Sequence, residues 1–242
     1  MRELAGRARP VALARDQLLP VPPPLAGLFP EGGLRRGSTV VVRPGSAVGD
    51  GALSLAFALM VSASQAGSWC AAVGVPDLGP VAAAGFGVRL ERLALIPAPG
   101  DQWPVVTAAL LDAVDIVLVR AHQPRLTDAR RLVARARERG TILLAFSASW
   151  PEGADLRLAV AVSTWQGLGQ GHGHLQARAA EVTATGRGAA VRPRHARMWL
   201  PGPEGMLVAL EQATVDVEAE AGIIGAAGPA SDQPAQPVPM AG

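Results

Sequence analysis

A glycine-containing loop between an apolar run and an alanine-rich segment is the first feature with chemical meaning. It reads Val40-Val-Val-Arg-Pro-Gly-Ser-Ala-Val-Gly-Asp-Gly-Ala-Leu-Ser54. A working phosphate-binding loop needs G-x-x-x-x-G-K-[ST], because its backbone N–H groups surround phosphate, its lysine neutralises the β/γ oxygens and its hydroxyl holds magnesium. Gly49 fits the second glycine, but Asp50 stands at the lysine position and Gly51 at the hydroxyl position. The sequence therefore predicts a nucleotide site that has lost its phosphate and magnesium chemistry.

The second half of such a site is an aspartate at the end of a later buried strand. The matching run, Asp115-Ile-Val-Leu-Val-Arg120, has the apolar strand but ends in a cation where a magnesium ligand belongs. Because both positions have reversed charge, we expect neither ATP nor magnesium as a cofactor. In a working site the two ends lie side by side, so we hypothesise that an Asp50–Arg120 ion pair replaces the metal–nucleotide bridge. This degenerate nucleotide site comprises Gly45, Gly49, Asp50, Gly51 and Arg120.

The residues of this degenerate site follow or end short apolar runs, and these runs alternate with helical segments along the chain. The runs begin at Ser38, Trp69, Leu93, Asp115 and Thr141. Such alternation predicts an α/β fold, a mostly parallel sheet with helices on both faces. After Trp150 the expected strands 156–164, 175–183 and 196–200 follow one another without helices. An antiparallel extension of the sheet is therefore expected on the C-terminal side.

Composition divides the chain into four stretches. Residues 1–36 are proline-rich, which favours an N-terminal arm leading into a core over residues 37–200. Residues 201–221 form an acidic C-terminal segment. Residues 222–242 are dominated by Gly, Ala and Pro, which is typical of a disordered tail.

Composition also excludes several kinds of chemistry. The chain has no lysine, and all 22 basic residues are arginine, so a Schiff-base lysine or a lysine general base is excluded. The one cysteine, Cys70, rules out an internal disulfide and a multi-cysteine metal cluster. His172 and His174 lack the further ligands of a zinc site, so we expect no metal, and no catalytic residues are apparent. No apolar run is long enough to span a bilayer, which predicts a soluble, cytoplasmic protein.

Four stretches resemble the core of the RecA recombinase family. They are Phe29-Pro-Glu-Gly-Gly-Leu-Arg-Arg-Gly-Ser-Thr-Val40, Gly67-Ser-Trp-Cys-Ala-Ala-Val73, Phe86-Gly-Val-Arg-Leu-Glu-Arg-Leu93 and Glu181-Val-Thr-Ala-Thr-Gly-Arg-Gly188. The third matches the segment that reads LGVDIDNL in the family. The resemblance covers most of residues 28–200 and implies a RecA-like core of the P-loop type.

The departures from the family pattern concern its catalytic and DNA-binding parts. In RecA-type ATPases a glutamate that activates water follows the second core strand, whereas here Asp77 lies nearby but one position out. The nucleotide-sensing glutamine is missing from the stretch 146–149. The two DNA-gripping loops are also shortened, so we expect no strand-exchange filament.

A RecA-like chain with these losses is similar to the ImuA family of mutasome accessory proteins and to its actinobacterial ImuA-prime branch. The family acts in damage-induced mutagenesis, within the SOS response and translesion synthesis. The resemblance implies a non-catalytic scaffold whose partners are a Y-family polymerase homologue and an error-prone C-family polymerase. Two other functions stay open: a divergent DNA-dependent ATPase of the RecA family, and a cell-division inhibitor of the SulA type.

Arginine clusters make direct DNA contact possible. Up to Leu200 the chain has 22 arginines against 14 acidic residues. One cluster lies on the predicted helix 127–139 and another near the predicted turn at 186–188. Phosphate binding and a solvated surface are the alternatives for both, and the lack of stacking aromatics favours solvation for the helix. The candidate nucleic-acid contacts are Arg130, Arg131, Arg135, Arg187, Arg192 and Arg194.

The stretch 205–220 combines apolar and acidic positions after the expected end of the core. Such a stretch can dock a partner or pack on its parent domain. The candidate partner contacts are Met206, Leu207, Leu210, Val215 and Val217.

Overall fold

A computed structural model describes residues 17–45, 50–77, 79–168 and 173–210. Three short 3-10 helices cover Leu90–Arg92, Gly100–Gln102 and Gly188–Ala190. The strands and longer helices, in chain order, are β1 (Leu18–Leu19), α1 (Pro23–Ala26), β2 (Leu34–Arg35), β3 (Thr39–Arg43), α2 (Ala52–Gln65), β4 (Cys70–Val73), α3 (Pro80–Gly85), β5 (Leu93–Ile96), α4 (Trp103–Leu111), β6 (Ile116–Arg120), α5 (Leu126–Arg139), β7 (Ile142–Phe146), β8 (Leu156–Leu168), β9 (Gly173–Gly186), β10 (Arg194–Trp199) and β11 (Val208–Ala209).

A nine-stranded sheet in the order β11-β10-β9-β8-β3-β7-β6-β4-β5 forms the centre of the fold. The strands from β8 to β5 are parallel, and β8, β9, β10 and β11 pair antiparallel. This arrangement confirms the predicted α/β fold, a mostly parallel sheet with an antiparallel extension. The chain leaves β3 toward β4 on one side and returns at β8 on the other. Clefts at the carboxyl ends of strands beside such a reversal are where open α/β sheets bind ligands.

Two apolar layers hold the sheet between helices. Val40 and Val42 of β3 belong to the layer beneath α2, while Val41 between them faces the layer beneath α4 and α5. This alternation is the two-residue period of a strand. Helix α2 ends before Gly67, whose φ of +97° lies in the left-handed region, where glycine is strain-free.

The described part of the expected N-terminal arm, residues 17–36, packs into the core. Strands β1 and β2 pair antiparallel around α1, and Leu25, Leu28 and Leu34 are completely buried in the layer beneath α2. The core therefore starts before residue 37, contrary to the expected boundary. The prolines misled the prediction because Pro23 starts α1, a position where its missing N–H and fixed φ are compatible with a helix.

The C-terminal strands extend further than the sequence predicts. Strands β8 and β9 form a long hairpin, and β11 within the expected acidic segment adds an edge strand to β10. The rest of that segment, 211–221, and the expected disordered tail 222–242 lie outside the described residues. No helix in the described ranges is long and apolar enough to cross a membrane.

Candidate functional site

A cleft of ≈ 560 Å³ lies at the carboxyl ends of β3, β6 and β7, beside the reversal of strand order. The loop after β3 contributes Gly45, Asp50 and Gly51, and the end of β6 contributes Arg120. Arg178 reaches the same cleft from β9. The fold thus brings together the described residues of the predicted nucleotide site, while Gly49 lies outside the described residues.

The carboxylate of Asp50 accepts hydrogen bonds from two backbone groups of the loop. One donor is the N–H of Gly45, and the other is the N–H of Ala52, at 2.9 Å. Ala52 is the first residue of α2, and the N–H groups at a helix start carry partial positive charge. In a phosphate-binding loop such donors face the phosphate. Asp50 therefore places its own negative charge on donors that a bound phosphate would use.

Arg178 is a buried cation that the sequence reasoning missed. The whole residue is only 2% exposed to solvent. Nε donates a hydrogen bond of 2.7 Å to the Leu200 carbonyl, and one terminal nitrogen donates a bond of 2.9 Å to Ser54 Oγ. The guanidinium carbon lies 4.9 Å from the centre of the Trp165 ring. Burial lowers the pKa of Arg178 from its ordinary value and the nearby Asp50 carboxylate opposes that shift, so the group remains charged.

Gly51 leaves the space that the Arg178 guanidinium occupies. A Cβ atom added to Gly51 would lie 2.6 Å from the guanidinium carbon of Arg178. Gly51 also has a φ of +100°, a backbone conformation that strains any other residue. The position that carries the magnesium-binding hydroxyl in a working loop is thus required to be glycine, because the guanidinium of Arg178 stands where a side chain would begin.

The hypothesis of an Asp50–Arg120 ion pair is wrong. Arg120 instead pairs with Asp77, at 2.5 Å between Nη1 and Oδ2, and its guanidinium carbon lies 5.5 Å from the centre of the Phe146 ring. The carboxylate of Asp50 instead accepts the N–H donors of its own loop. The Arg120–Asp77 pair is partly exposed, with side chains 24% and 64% accessible, so it adds less than about 1 kcal/mol to stability.

The pairing of Asp77 has a chemical consequence. Asp77 is the carboxylate nearest the position that activates water in RecA-type ATPases, and Arg120 neutralises it. The ion pair occupies a carboxylate oxygen of Asp77 that would otherwise be available to a water molecule. Both charge-reversed positions of the cleft therefore have partners within the chain.

The sequence contains a signal for a buried arginine at position 178, but it does not indicate the partners of that arginine. The residue stands in a predicted strand, next to Ala177, Ala179 and Ala180. A charged side chain among small apolar residues of a buried strand needs a hydrogen-bonding partner. Ser54 lies 124 positions earlier in the chain, and only the pairing of β9 with β8 brings them together.

The predicted arginine cluster on α5 divides between two sides of the helix. Arg135 and Arg139 both bind Asp112, and the hydrogen bond from Arg135 holds the pKa of that carboxyl below its usual range. Arg130 pairs with Glu152 at 2.8 Å on the other side, and Arg131 is exposed. The helix therefore does not present these arginines as one surface.

The arginines after β9 have few close acidic partners in the described ranges. Arg187 is 3.9 Å from Asp155, and Arg194 donates a 3.3 Å hydrogen bond to the Ala189 carbonyl. Arg192 is exposed. These three residues stay candidates for nucleic-acid contact.

The predicted partner contacts have different surroundings. Met206 is 51% exposed, whereas Leu207 packs partly buried against the layer beneath α2. Leu210 is half-buried, and Val215 and Val217 lie outside the described residues. Met206 is thus the described candidate that is most available to a partner.

Comparison with known families decides where this chain belongs. The model of the MT3502 N-terminal domain matches residues 27–152, slightly more than half of the chain. The chain belongs to the MT3502 N-terminal domain family. The matched MT3502 N-terminal domain runs from β2 to β7 and contains Asp50, Gly51 and Arg120, whereas Arg178 lies after it.

Two individual proteins illustrate the likeness. Over 167 residues the chain is 36% identical to the uncharacterized protein Rv3395c of Mycobacterium tuberculosis, an alignment that covers 68% of this chain and 78% of the relative. Among solved structures, it is similar to the flagellar accessory protein FlaH from Methanocaldococcus jannaschii. That superposition has a TM-score of 0.48 and 10% identity, and it covers 76% of this chain and 93% of FlaH.

Proposed function

We propose that this protein is a non-catalytic RecA-like accessory or scaffold protein of an error-prone translesion synthesis complex, the mutasome. The observation that supports the non-catalytic part is that the chain's own charged groups occupy the phosphate-binding part of the cleft. Asp50 occupies N–H donors of the loop, and the Arg178 guanidinium lies over Gly51. The protein on this proposal acts by binding partners and does not turn over nucleotide.

The energetics of the cleft disfavour a triphosphate. To bind there, phosphate oxygens would have to displace the Asp50 carboxylate from Gly45 and Ala52, and the two anions would repel each other. The displaced carboxylate would then lose its hydrogen bonds to Gly45 and Ala52, and a hydrogen bond to a charged group contributes at most about 1.5–3 kcal/mol. No lysine exists in the chain to offset this cost.

The mutasome assignment rests on the resemblance to the ImuA family. That resemblance covers most of residues 28–200, and the short β7–β8 connection is in accord with reduced DNA-binding loops. The expected partners are therefore a Y-family polymerase homologue and an error-prone C-family polymerase, recruited without ATP or magnesium. Met206 and the chain after residue 210 are the proposed contact region.

The test uses purified proteins and size-exclusion chromatography. The full-length chain is mixed with the Y-family polymerase homologue of its host, with and without MgATP, and a chain lacking residues 211–242 is the matched variant. We expect co-elution that is independent of MgATP and weakened by the truncation. Failure of the full-length chain to co-elute with the Y-family homologue contradicts the mutasome assignment. Co-elution with a tubulin-like division protein would support the SulA-type alternative instead.

A further inference from the structure

An arginine-lined groove of ≈ 550 Å³ lies between α5, the β7–β8 connection and the end of β9. It shares no lining residue with the cleft that holds Asp50. Among its described lining residues, Glu152 is the one carboxylate. The arginines that line this groove, called the arginine groove below, are Arg130, Arg137, Arg157 and Arg187.

The fold leaves this surface open. Arg130 and Arg137 are seven positions apart on α5, so they lie on the same side of the helix. Arg157 of β8 pairs with Thr185 of β9, and in the described ranges no residue of β8, β9 or β10 belongs to the apolar layer beneath α4 and α5. This part of the sheet therefore presents polar side chains to solvent beside the helix.

A glycine sets the depth of the groove. A Cβ on Gly153 would lie 2.9 Å from a methyl group of Val133 on α5, and its φ is +81°. The β7–β8 connection consequently passes close against the helix, which keeps the arginines of α5 near those of β8 and β9.

Like charges face one another in the arginine groove. Burial, followed by the charges of Arg43 and Arg187, lowers the pKa of Arg157 from its ordinary value. Asp155 is 3.9 Å from both Arg137 and Arg187, and its other oxygen accepts the Thr39 N–H at 2.9 Å. Asp155 thus interacts with several donors and does not neutralise all of the surrounding arginines. The groove keeps an excess of positive charge, which attracts anions.

We propose that the arginine groove binds the phosphodiester backbone of nucleic acid. Guanidinium groups bind phosphate oxygens in pairs of hydrogen bonds. The basic surface continues into an adjoining cavity of ≈ 530 Å³, which Arg35 lines together with Arg137 and Arg187. Arginines that extend over both cavities suit a repeated phosphate better than one small anion does, although Glu31 and Asp155 also line the second cavity. No aromatic residue is among the described residues that line the arginine groove itself, so the contact there reads the backbone and not the bases.

The test is fluorescence anisotropy with a labelled 30-base-pair duplex and full-length protein over a range of salt concentrations. The variant Arg137→Gln/Arg187→Gln removes two groove arginines whose side chains are 65% and 64% exposed. Arg89→Gln/Arg92→Gln removes the same charge at the short 3-10 helix before β5, where neither residue lines the groove, and the thermal unfolding midpoint checks the fold of each variant.

We expect the groove variant to bind on the order of 50-fold more weakly at 0.1 M salt, with a salt slope smaller by about 1.8, since two phosphate contacts are lost. The control variant is expected to stay within about threefold of the parent protein, because its charges are screened from the groove. Absence of duplex binding by the parent protein, or equal losses in both variants, overturns the proposal. Displacement of the duplex by tripolyphosphate at matched phosphate concentration also overturns it, since the site would then hold a small anion.

Discussion

Arg178 donates a hydrogen bond of 2.9 Å to Ser54 and thereby joins β9 to α2 across 124 positions of the chain. The same guanidinium lies over Gly51 and occupies the space that a side chain at that position would take. The region that matches the MT3502 N-terminal domain ends at residue 152, so the arginine comes from outside it. The lining of the cleft therefore depends on the β8–β9 hairpin as well as on the loop itself.

Restoring the hydroxyl of a working phosphate-binding loop is expected to destabilise the protein. Gly51→Ser puts a Cβ 2.6 Å from the Arg178 guanidinium carbon at a φ of +100°, which costs about 2–4 kcal/mol in strain and overpacking. The measurement is urea unfolding followed by circular dichroism. Gly67→Ser is the control, because Gly67 has a similar φ of +97° with nothing within 4 Å. Equal losses in the two variants would show that the contact with Arg178 has no energetic weight.

Removal of the buried guanidinium is expected to be costly. Arg178→Met loses the bonds to Leu200 and Ser54 and leaves a buried carbonyl unpaired, so we expect the free energy of unfolding to fall by about 3 kcal/mol. Arg92→Met is the matched control, since Arg92 also lies over a tryptophan, Trp69, at 5.1 Å, but on the surface. Its loss is expected to stay below about 1 kcal/mol. A loss below 1 kcal/mol for Arg178→Met contradicts the account.

Double-mutant cycles distinguish the observed partners from the one that the sequence suggested. With Asp50→Asn and Arg178→Gln we expect a coupling of about 1 kcal/mol or more, because the two groups interact in a partly buried cleft. With Asp50→Asn and Arg120→Gln the effects are expected to add within about 0.5 kcal/mol. The reverse order of the two couplings, measured by urea unfolding, would reinstate the Asp50–Arg120 pair.

The sequence was sufficient for the fold and insufficient for the partners of the charged groups. The apolar runs that contain Val41 and Val117 are continuous, and buried parallel strands have this pattern, so their order along the chain was readable. The sequence did not show which cation lies beside Asp50, because that depends on which strand follows β8 across the sheet. The position of Leu25 in the core was hidden for a related reason: the prolines around it suggested an arm, although they support a short helix.

The thiol of Cys70 gives a test of the buried sheet through pH. Burial, followed by the Asp115 charge, raises the pKa of Cys70 to about 12. Because the unfolded chain loses this proton first, stability is fully present below about pH 9 and falls by about 1.4 kcal/mol per pH unit above it, up to the folded pKa. Urea unfolding between about pH 8 and pH 10.5 measures the slope. Cys70→Ala is expected to lack this part of the slope, and identical slopes in the two proteins would contradict the assignment.

The central claim is that the chain's own Asp50 and Arg178 occupy the phosphate-binding part of the cleft, and calorimetric titration with MgATP tests it most directly. We expect no saturable heat up to about 1 mM MgATP, a concentration that detects even weak binding. Saturable binding with a dissociation constant below about 100 μM would contradict the claim, provided that a substitution in the cleft abolishes it. That result would favour the alternative that the protein is a divergent ATPase.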